Sequence, residues 1–390
     1  MKSRIADFGV RIGVALLAGL LTVPASSAAE RRWQNGFPDR PEFFPLCVWV
    51  QNTRNADRYK AIGVNTYVAL YRGPTEQQLA DLEKAGMYAV CQQSERSLKF
   101  RDSKVIVAWM HNDEPDNAQR RRDGQPGWGP PVAPEKIVAD YERMKAADPT
   151  RPVLLNLGQG VAWDNWFGRG VRSRHPEDYP QYLKGCDIAS FDIYPVVHDN
   201  AEVAGKLEFV GNGVRRLVEW TEGRKPAWAC IETTHISNEK ARPTPQQIRS
   251  EVWMAIAHGA TGIIYFCHEF KPEQIEAGLL QYPEIVEGVK AVNAEVDALA
   301  PVINAPSIPD GAAATGGVQV LCKRRGRETY LFAVSRSGAP VRATLTVNGI
   351  SPGAAVEAVG ESRTFKAAGG RFDDDFAPYG VHIYRFATTP

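Results

Sequence analysis

Between residues 45 and 303 the sequence alternates short apolar runs with amphipathic stretches, and the alternation occurs eight times. The runs have strand length, and the stretches between them place apolar residues at the helical spacing of three and four. Eight strand-and-crossover units in about 270 residues match a (β/α)₈ barrel, which typically needs ~250 residues. A doubly wound open sheet is the alternative. It requires a glycine-rich phosphate-binding turn after the first strand, and residues 49–52 do not form one.

The predicted strands and helices fill residues 30–303, the predicted barrel domain. We expect strands at 46–50, 64–70, 87–91, 105–110, 152–156, 187–194, 227–232 and 262–267. We expect helices at 75–84, 133–147, 214–222, 246–257 and 285–299. In such barrels the chemistry occurs at the carboxyl ends of the strands, so the residues that follow each strand are the candidate site residues.

The pattern changes after a linker at 300–311 that contains three prolines. Apolar residues then recur at period two, in runs at 318–321, 329–334, 342–347 and 381–386. Glycine-containing turns at 348–349 and 369–370 separate some of these runs. Residues 304–390 therefore predict a small antiparallel β-sandwich domain.

The first 29 residues predict a secretory signal peptide. Basic residues precede an apolar run of twelve residues at 12–23, and small residues at 25–29 fit a cleavage site. A membrane anchor is the alternative, but a spanning helix needs about 20 apolar residues. We therefore expect an exported protein, periplasmic or extracellular, without a membrane partner.

The charge balance and the cysteines limit the partners and the chemistry. Lys and Arg total 46 and Asp and Glu total 45, so the chain lacks the basic excess that nucleic-acid binding requires. Export permits disulfides, but the six cysteines include no C-x-x-C pair, and most lie in apolar runs. We expect buried free thiols, with one disulfide between neighbouring strands as the alternative.

Two glutamates follow predicted strands on opposite sides of the barrel. Glu114 follows the fourth strand in the segment His-Asn-Asp-Glu-Pro, and Glu232 ends the seventh strand. Glycoside hydrolysis needs such a pair of carboxylates, one to protonate the leaving oxygen and one at the anomeric carbon. A carboxylate at the end of a strongly apolar strand also needs a reason to be there, because burying a charge is costly.

Residues 109–115 resemble the strand-four signature of the clan A glycoside hydrolases, and residues 227–232 resemble their strand-seven motif. The resemblance implies a retaining mechanism, with Glu114 as acid/base and Glu232 as nucleophile. The clan usually has Asn before the acid/base, where it binds the sugar 2-hydroxyl, and here Asp113 takes that position. The barrel followed by a β domain is similar to glycoside hydrolase family 158, whose known activity is on β-1,3-glucan.

Other residues are candidates for binding sugar. Tyr194 matches the strand-six tyrosine of the clan, which usually hydrogen-bonds the nucleophile; core packing is the alternative. Six more residues fall at strand ends and are expected to line subsites: Trp49, Tyr71, Arg72, Asn156, His235 and His268. Three aromatic residues in the loop after the fifth strand predict a sugar platform or a local core: Trp163, Trp166 and Phe167.

Two other function classes compete with a glycoside hydrolase. A metal-dependent hydrolase would draw its ligands from His111, Asp113, His175, His235 and His268, but neither an H-x-H after the first strand nor an H-E-x-x-H occurs. We therefore expect no metal and no cofactor. A non-catalytic carbohydrate-binding barrel would not need both glutamates.

The expected function is a secreted enzyme that cleaves β-linked glycans with retention through a covalent glycosyl-enzyme. β-1,3-Glucan is the first choice of substrate, and an exo-acting β-galactosidase or β-glucosidase is the alternative. The expected partner is an oligo- or polysaccharide. The oligomeric state is left open.

Overall fold

Eight parallel strands pair in chain order and close into a barrel, because the eighth strand pairs with the first. The computed structural model describes residues 32–121, 123 and 125–387, so the predicted signal peptide lies outside the described residues. The barrel strands are β1 Leu46–Trp49, β2 Thr66–Val68, β3 Tyr88–Gln92, β4 Ile106–Met110, β5 Val153–Leu157, β6 Ile188–Asp192, β7 Ala227–Glu232 and β8 Ala260–Phe266. All eight predicted strands are confirmed.

The α-helices of the described chain are α1 Ala56–Ala61, α2 Glu76–Lys84, α3 Glu95–Leu98, α4 Pro134–Ala147, α5 Tyr179–Tyr182, α6 Glu208–Trp220, α7 Pro245–Ala257 and α8 Pro283–Ile303. The five predicted helices are present. The short α1, α3 and α5 were not predicted, because six residues or fewer show no helical periodicity.

The strands after α8 form two antiparallel sheets, as predicted for a sandwich. They are β9 Ala312–Ala314, β10 Val318–Arg325, β11 Glu328–Ser335, β12 Val341–Val347, β13 Ala355–Ala358, β14 Arg363–Lys366, β15 Arg371–Phe376 and β16 Val381–Ala387. One sheet has the order β10-β11-β16-β13-β14 and the other β15-β12-β9. A buried apolar cluster that includes Leu345, Phe372 and Phe376 separates them.

The sandwich packs on the helices of the barrel. The ring of Phe332 in β11 stacks on that of Trp253 in α7, with centroids 5.5 Å apart and planes 14° from parallel. The Tyr379 hydroxyl donates a 2.8 Å hydrogen bond to Glu208 at the start of α6. Helix α7 therefore has barrel strands on one side and the sandwich on the other.

Side chains from alternate positions of the strands fill the barrel interior. This inner cluster contains Cys47, Val68, Ala108, Leu154, Ile188, Trp228 and Ile264, among others. All six cysteines are buried free thiols, which confirms the prediction. Among the described helices, none combines the length and the apolar character that crossing a membrane requires.

Candidate active site

The loop after β4 carries Asp113 and Glu114 to the mouth of the barrel. The Glu114 backbone N–H donates a 3.2 Å hydrogen bond to the carbonyl of Asn156 in β5. Glu114 has a φ of 42°, in the left-handed region that residues other than glycine rarely adopt. Such backbone strain persists only where the surroundings enforce it, and it is concentrated at functional sites.

The carboxyl group of Glu114 is a neighbour of that of Asp192, the last residue of β6, and each affects the ionisation of the other. Two ionised carboxylates close together repel each other, which favours a state in which one of the two groups keeps its proton. Burial, followed by the charge of Asp192, raises the pKa of Glu114 well above its ordinary value. Burial also raises the pKa of Asp192. The pair can therefore hold a proton near neutral pH, as a general acid must.

Asp113 lies next to Glu114 in the wall of the barrel mouth, with part of its surface exposed. Enclosure by the protein raises the pKa of its carboxyl group to about 6, while a hydrogen bond from Asn156 opposes the rise. That bond joins Asn156 Nδ2 to Asp113 Oδ1 at 2.9 Å. Asn156 itself is buried, so it positions Asp113 from below.

Glu232 ends β7 as predicted, but its side chain is 0% exposed. Its Oε1 accepts a hydrogen bond from the backbone N–H of Val196 at 2.6 Å, and its Oε2 accepts one from that of Val197 at 2.9 Å. The carboxyl group of Glu251 in α7 is its other neighbour. Burial raises the pKa of Glu232 to about 7. The contacts of Glu232 thus face the segment after β6 and helix α7, and its catalytic role stays a prediction.

The predicted aromatic platform divides into a core part and an exposed part. Trp163 is buried in the core, and its indole N–H donates to Glu202 at 2.8 Å. Trp166 is half-buried, and Phe167 is exposed beside it, with ring centroids 4.6 Å apart. For Trp163 the alternative of local core packing therefore describes the structure.

A cavity of about 640 Å³ lies between the loop after β4 and the loop after β5. Trp128 belongs to its wall and was not singled out from the sequence. The sequence feature that could have indicated Trp128 is a lone tryptophan in a stretch rich in Arg, Gly and Pro. The lining residues are Asp113, Glu114, Asn117, Ala118, Gln119, Arg120, Trp128, Trp166, Phe167, Gly168 and Gly170.

The remaining predicted residues differ in exposure. Trp49 and Tyr194 are buried in the inner cluster, so they support the floor of the mouth. Tyr194 packs on Phe266 with ring centroids 5.1 Å apart, and it also lies beside Asp192. His235 and His268 are half-buried.

The loop after β2 places Tyr71 and Arg72 at the surface. Tyr71 is exposed, with the guanidinium of Arg72 5.1 Å from its ring centroid. Within the described residues, no group of three or more His, Cys, Asp or Glu side chains is arranged to hold a metal ion.

Residues 135–284 match the family model of glycoside hydrolase family 42, described as beta-galactosidase. The matched region runs from α4 to the start of α8, so it contains Asn156, Asp192 and Glu232 but not Glu114. No curated protein matches the chain.

Solved structures with the same fold include two associated with galactosides. One is alpha-galactosidase I from Mortierella vinacea, with a TM-score of 0.52 and 12% identity over 89% of this chain and 98% of that one. The other is a Bacteroides fragilis protein provisionally assigned as an alpha-galactosidase, with a TM-score of 0.52 and 11% identity over 90% of this chain and 80% of that one. At these identities the likeness concerns the fold. The closed eight-stranded barrel and the family-model match together identify the chain as a clan A glycoside hydrolase.

Proposed function

We propose that the protein hydrolyses a β-linked oligo- or polysaccharide with retention of configuration, and that Glu114 is its acid/base. The observation that carries the proposal is that Glu114, held at a φ of 42°, lines the cavity at the barrel mouth and has the carboxyl group of Asp192 as its neighbour. A carboxyl group that keeps its proton near neutral pH can donate it to a glycosidic oxygen.

The closeness of the two carboxyl groups favours retention over inversion. An inverting enzyme keeps its carboxyl groups about 6.5–9.5 Å apart, because a water molecule must fit between one of them and the sugar. A retaining enzyme keeps them about 5–5.5 Å apart, so that the second group can attack the sugar directly. Glu114 and Asp192 are neighbours, so their carboxyl groups are nearer to the retaining spacing than to the inverting one.

In the first step Glu114 gives its proton to the glycosidic oxygen while the second carboxylate attacks the anomeric carbon. The bond to the leaving sugar breaks, and a covalent glycosyl-enzyme forms. In the second step a water molecule gives a proton to Glu114, and its oxygen displaces the carboxylate from the anomeric carbon. Two displacements restore the original configuration.

We assign the second carboxylate to Asp192. It neighbours Glu114, and it is half-buried as a residue, with its Oδ1 enclosed and without a hydrogen-bond partner in the described structure. Glu232 is the nucleophile that the family resemblance implies. Its two oxygens accept hydrogen bonds from the amides of residues 196 and 197, and none of its surface is exposed. Because Glu232 is fully buried, its carboxyl group would have to become accessible to the sugar before it could attack.

The match to a beta-galactosidase family model favours a β-galactoside as substrate, ahead of the β-1,3-glucan suggested by the similarity to family 158. An external glycan agrees with the predicted export of the chain. A neutral glycan agrees with its near-zero net charge, because an anionic polymer favours a basic cleft.

The test begins with a screen of the purified protein on aryl β-glycosides and on β-galactans, β-1,3-glucans and mannans, with the product anomer followed by NMR. We expect release of the β anomer. Release of the α anomer from a β-linked substrate would overturn retention, and inactivity on the whole panel would overturn the β-glycosidase proposal.

Added azide then distinguishes the nucleophile from the acid/base. The experiment uses alanine variants of the carboxylates and an activated aryl β-glycoside as substrate. Without the nucleophile, azide takes its place and gives the α-glycosyl azide; without the acid/base, azide attacks the glycosyl-enzyme and gives the β-glycosyl azide. We expect the α product from Asp192→Ala and the β product from Glu114→Ala. An α product from Glu232→Ala and none from Asp192→Ala would transfer the nucleophile role to Glu232.

A further inference from the structure

We infer that the cavity beside Glu114 is an aromatic subsite for the sugar on the leaving-group side of the scissile bond. This inference rests on the proposed function and deepens it. The cavity is the 640 Å³ space between the loops after β4 and β5, within the range of volumes typical of ligand pockets, about 300–1,000 Å³.

The position of Glu114 indicates which side of the scissile glycosidic bond the cavity would bind. Glu114 lines the cavity, whereas its partner Asp192 and the neighbouring Tyr194 do not. The general acid donates its proton to the oxygen of the leaving group, so the leaving sugar must lie next to Glu114. The sugar that becomes attached to the enzyme lies next to the nucleophile. The cavity therefore lies where the departing part of the glycan would be.

The walls are built to contact a sugar ring. Trp128 and Phe167 are 69% and 67% exposed, and they are two of the five large apolar side chains that are exposed in the described chain. A ligand that covers these two exposed aromatic rings removes their apolar surface from water, and this removal favours binding. The apolar C–H face of a sugar suits an aromatic ring, and its hydroxyl groups can reach polar side chains at the edge.

The polar groups of the cavity suit an uncharged polyol. Asn117, Gln119 and Arg120 line it together with the carboxyl groups of Asp113 and Glu114. Asp113 and Arg120 carry opposite charges, so the cavity does not select for a charged ligand of either sign. Its amide side chains can hydrogen-bond the hydroxyl groups of a neutral sugar.

Hydrogen bonds hold the two loops together before any ligand binds. The indole N–H of Trp166 donates to Asn117 Oδ1 at 2.8 Å, and the backbone N–H of Ala118 donates to the carbonyl of Gly168 at 2.8 Å. Trp128 lies in a hairpin whose Gly129 N–H donates to the Gln119 carbonyl at 2.7 Å. A preformed aromatic wall loses little conformational freedom when it binds.

The test compares Trp128→Ala and Phe167→Ala with Val171→Ala, a variant of an exposed apolar residue in the same loop that does not line the cavity. The probes are an aryl β-glycoside that the wild type hydrolyses and a tetrasaccharide of the same sugar and linkage. We expect each aromatic variant to lower kcat/KM for the tetrasaccharide about tenfold and to leave the aryl glycoside within about twofold. Trp128→Phe should recover most of the loss, because it restores an aromatic face.

A second readout is the bond that is cleaved in a tetrasaccharide labelled at its reducing end. Loss of a leaving-group subsite should change the distribution of labelled products in the aromatic variants but not in Val171→Ala. An equal loss on both substrates, or an unchanged kcat/KM and product distribution, would overturn the subsite. Inactivity of the wild type on every glycan would instead contradict the proposed function.

Discussion

Asn156 links the inside of the barrel to the carboxylates at its mouth. Its Nδ2 donates to Asp113 Oδ1 at 2.9 Å, and its Oδ1 accepts from the Ser190 hydroxyl at 2.8 Å. The side chain of Asn156 is thereby fixed at both ends, and Asp113 is fixed through it. Asp113 in turn adds negative charge beside Glu114 and is one cause of the raised pKa of Glu114.

We predict that Asp113→Asn moves the alkaline limb of the kcat/KM pH profile to lower pH. That limb reports the pKa of the general acid in the free enzyme. Removing a neighbouring negative charge makes ionisation of Glu114 easier, so its pKa falls and the protonated form is lost at lower pH. The profile would be measured on an unactivated glycan, with the exposed Asp310→Asn as control. A limb that stays in place would show that Asp113 does not act on the acid.

The sequence predicted the barrel, its strands and the position of Glu232 at the end of β7, because these follow from periodicity and order. It did not predict the neighbours of Glu232. A strand pattern assigns a face to each residue, but the direction of the last side chain depends on the segment after β6 and on α7, which are distant in sequence. Asp192 was missed as the partner of Glu114 for the same reason, although it lay within a predicted strand.

Helix α6 shows how a local pattern can fail within a correct fold. The predicted helix began at residue 214, and the observed one begins at Glu208. Gly211 and Gly213 weaken the helical signal between these positions. The structure needs both, because a Cβ at either would overlap the rings of His258 and Phe191, respectively. Tertiary packing thus overrides helix propensity here.

The buried pair of Glu232 and Glu251 predicts a stability that falls as the pH rises. Burial raises the pKa of both groups in the folded protein above their ordinary values, to about 7 for Glu232. Between the unfolded pKa and the folded pKa the native state binds more protons, so the free energy of unfolding decreases with increasing pH. This contribution to stability is complete below about pH 4.5 and is lost as the pH rises through about 7.

Glu251→Gln should therefore raise the melting temperature at pH 8 by roughly 2–4 °C, with a smaller effect at pH 5. The new amide can donate a hydrogen bond to Glu232 and removes a buried charge. Thermal unfolding at both pH values checks this, with the exposed Glu239→Gln as control. A variant less stable than the wild type at pH 8 would contradict the destabilising effect that we assign to the buried Glu251 carboxyl group at that pH.

Gly168→Ala should weaken the proposed subsite without touching the carboxylates. A Cβ at this position would overlap the indole ring of Trp166, so the ring would have to move. We expect a higher KM for a tetrasaccharide and a nearly unchanged kcat/KM for an aryl glycoside. Steady-state kinetics on both substrates measures this, with Val171→Ala, an exposed position in the same loop outside the cavity, as the control. Unchanged kinetics on the tetrasaccharide would show that the Trp166 ring is not needed for binding.

Phe332→Ala should destabilise the barrel as well as the sandwich, by about 3–5 kcal/mol. Phe332 is fully buried against Trp253, so truncation leaves a cavity between the two domains. Activity and circular dichroism, followed during denaturant unfolding, should change together in one transition at lower denaturant. Phe332→Leu, which keeps most of the volume, should cost less than about 1.5 kcal/mol. Separate transitions for the two readouts would contradict this coupling.

The stack of Trp253 on Phe332 also bears on how such a chain can evolve. Residues of β11 and β16 belong to the same apolar cluster as the helices of the barrel. A chain that lost the sandwich would expose Trp253, and a chain that exchanged it for another module would need a new surface matched to α7. We therefore expect the two domains to be inherited together rather than shuffled, with the sandwich as a structural partner of the barrel instead of a detachable appendage.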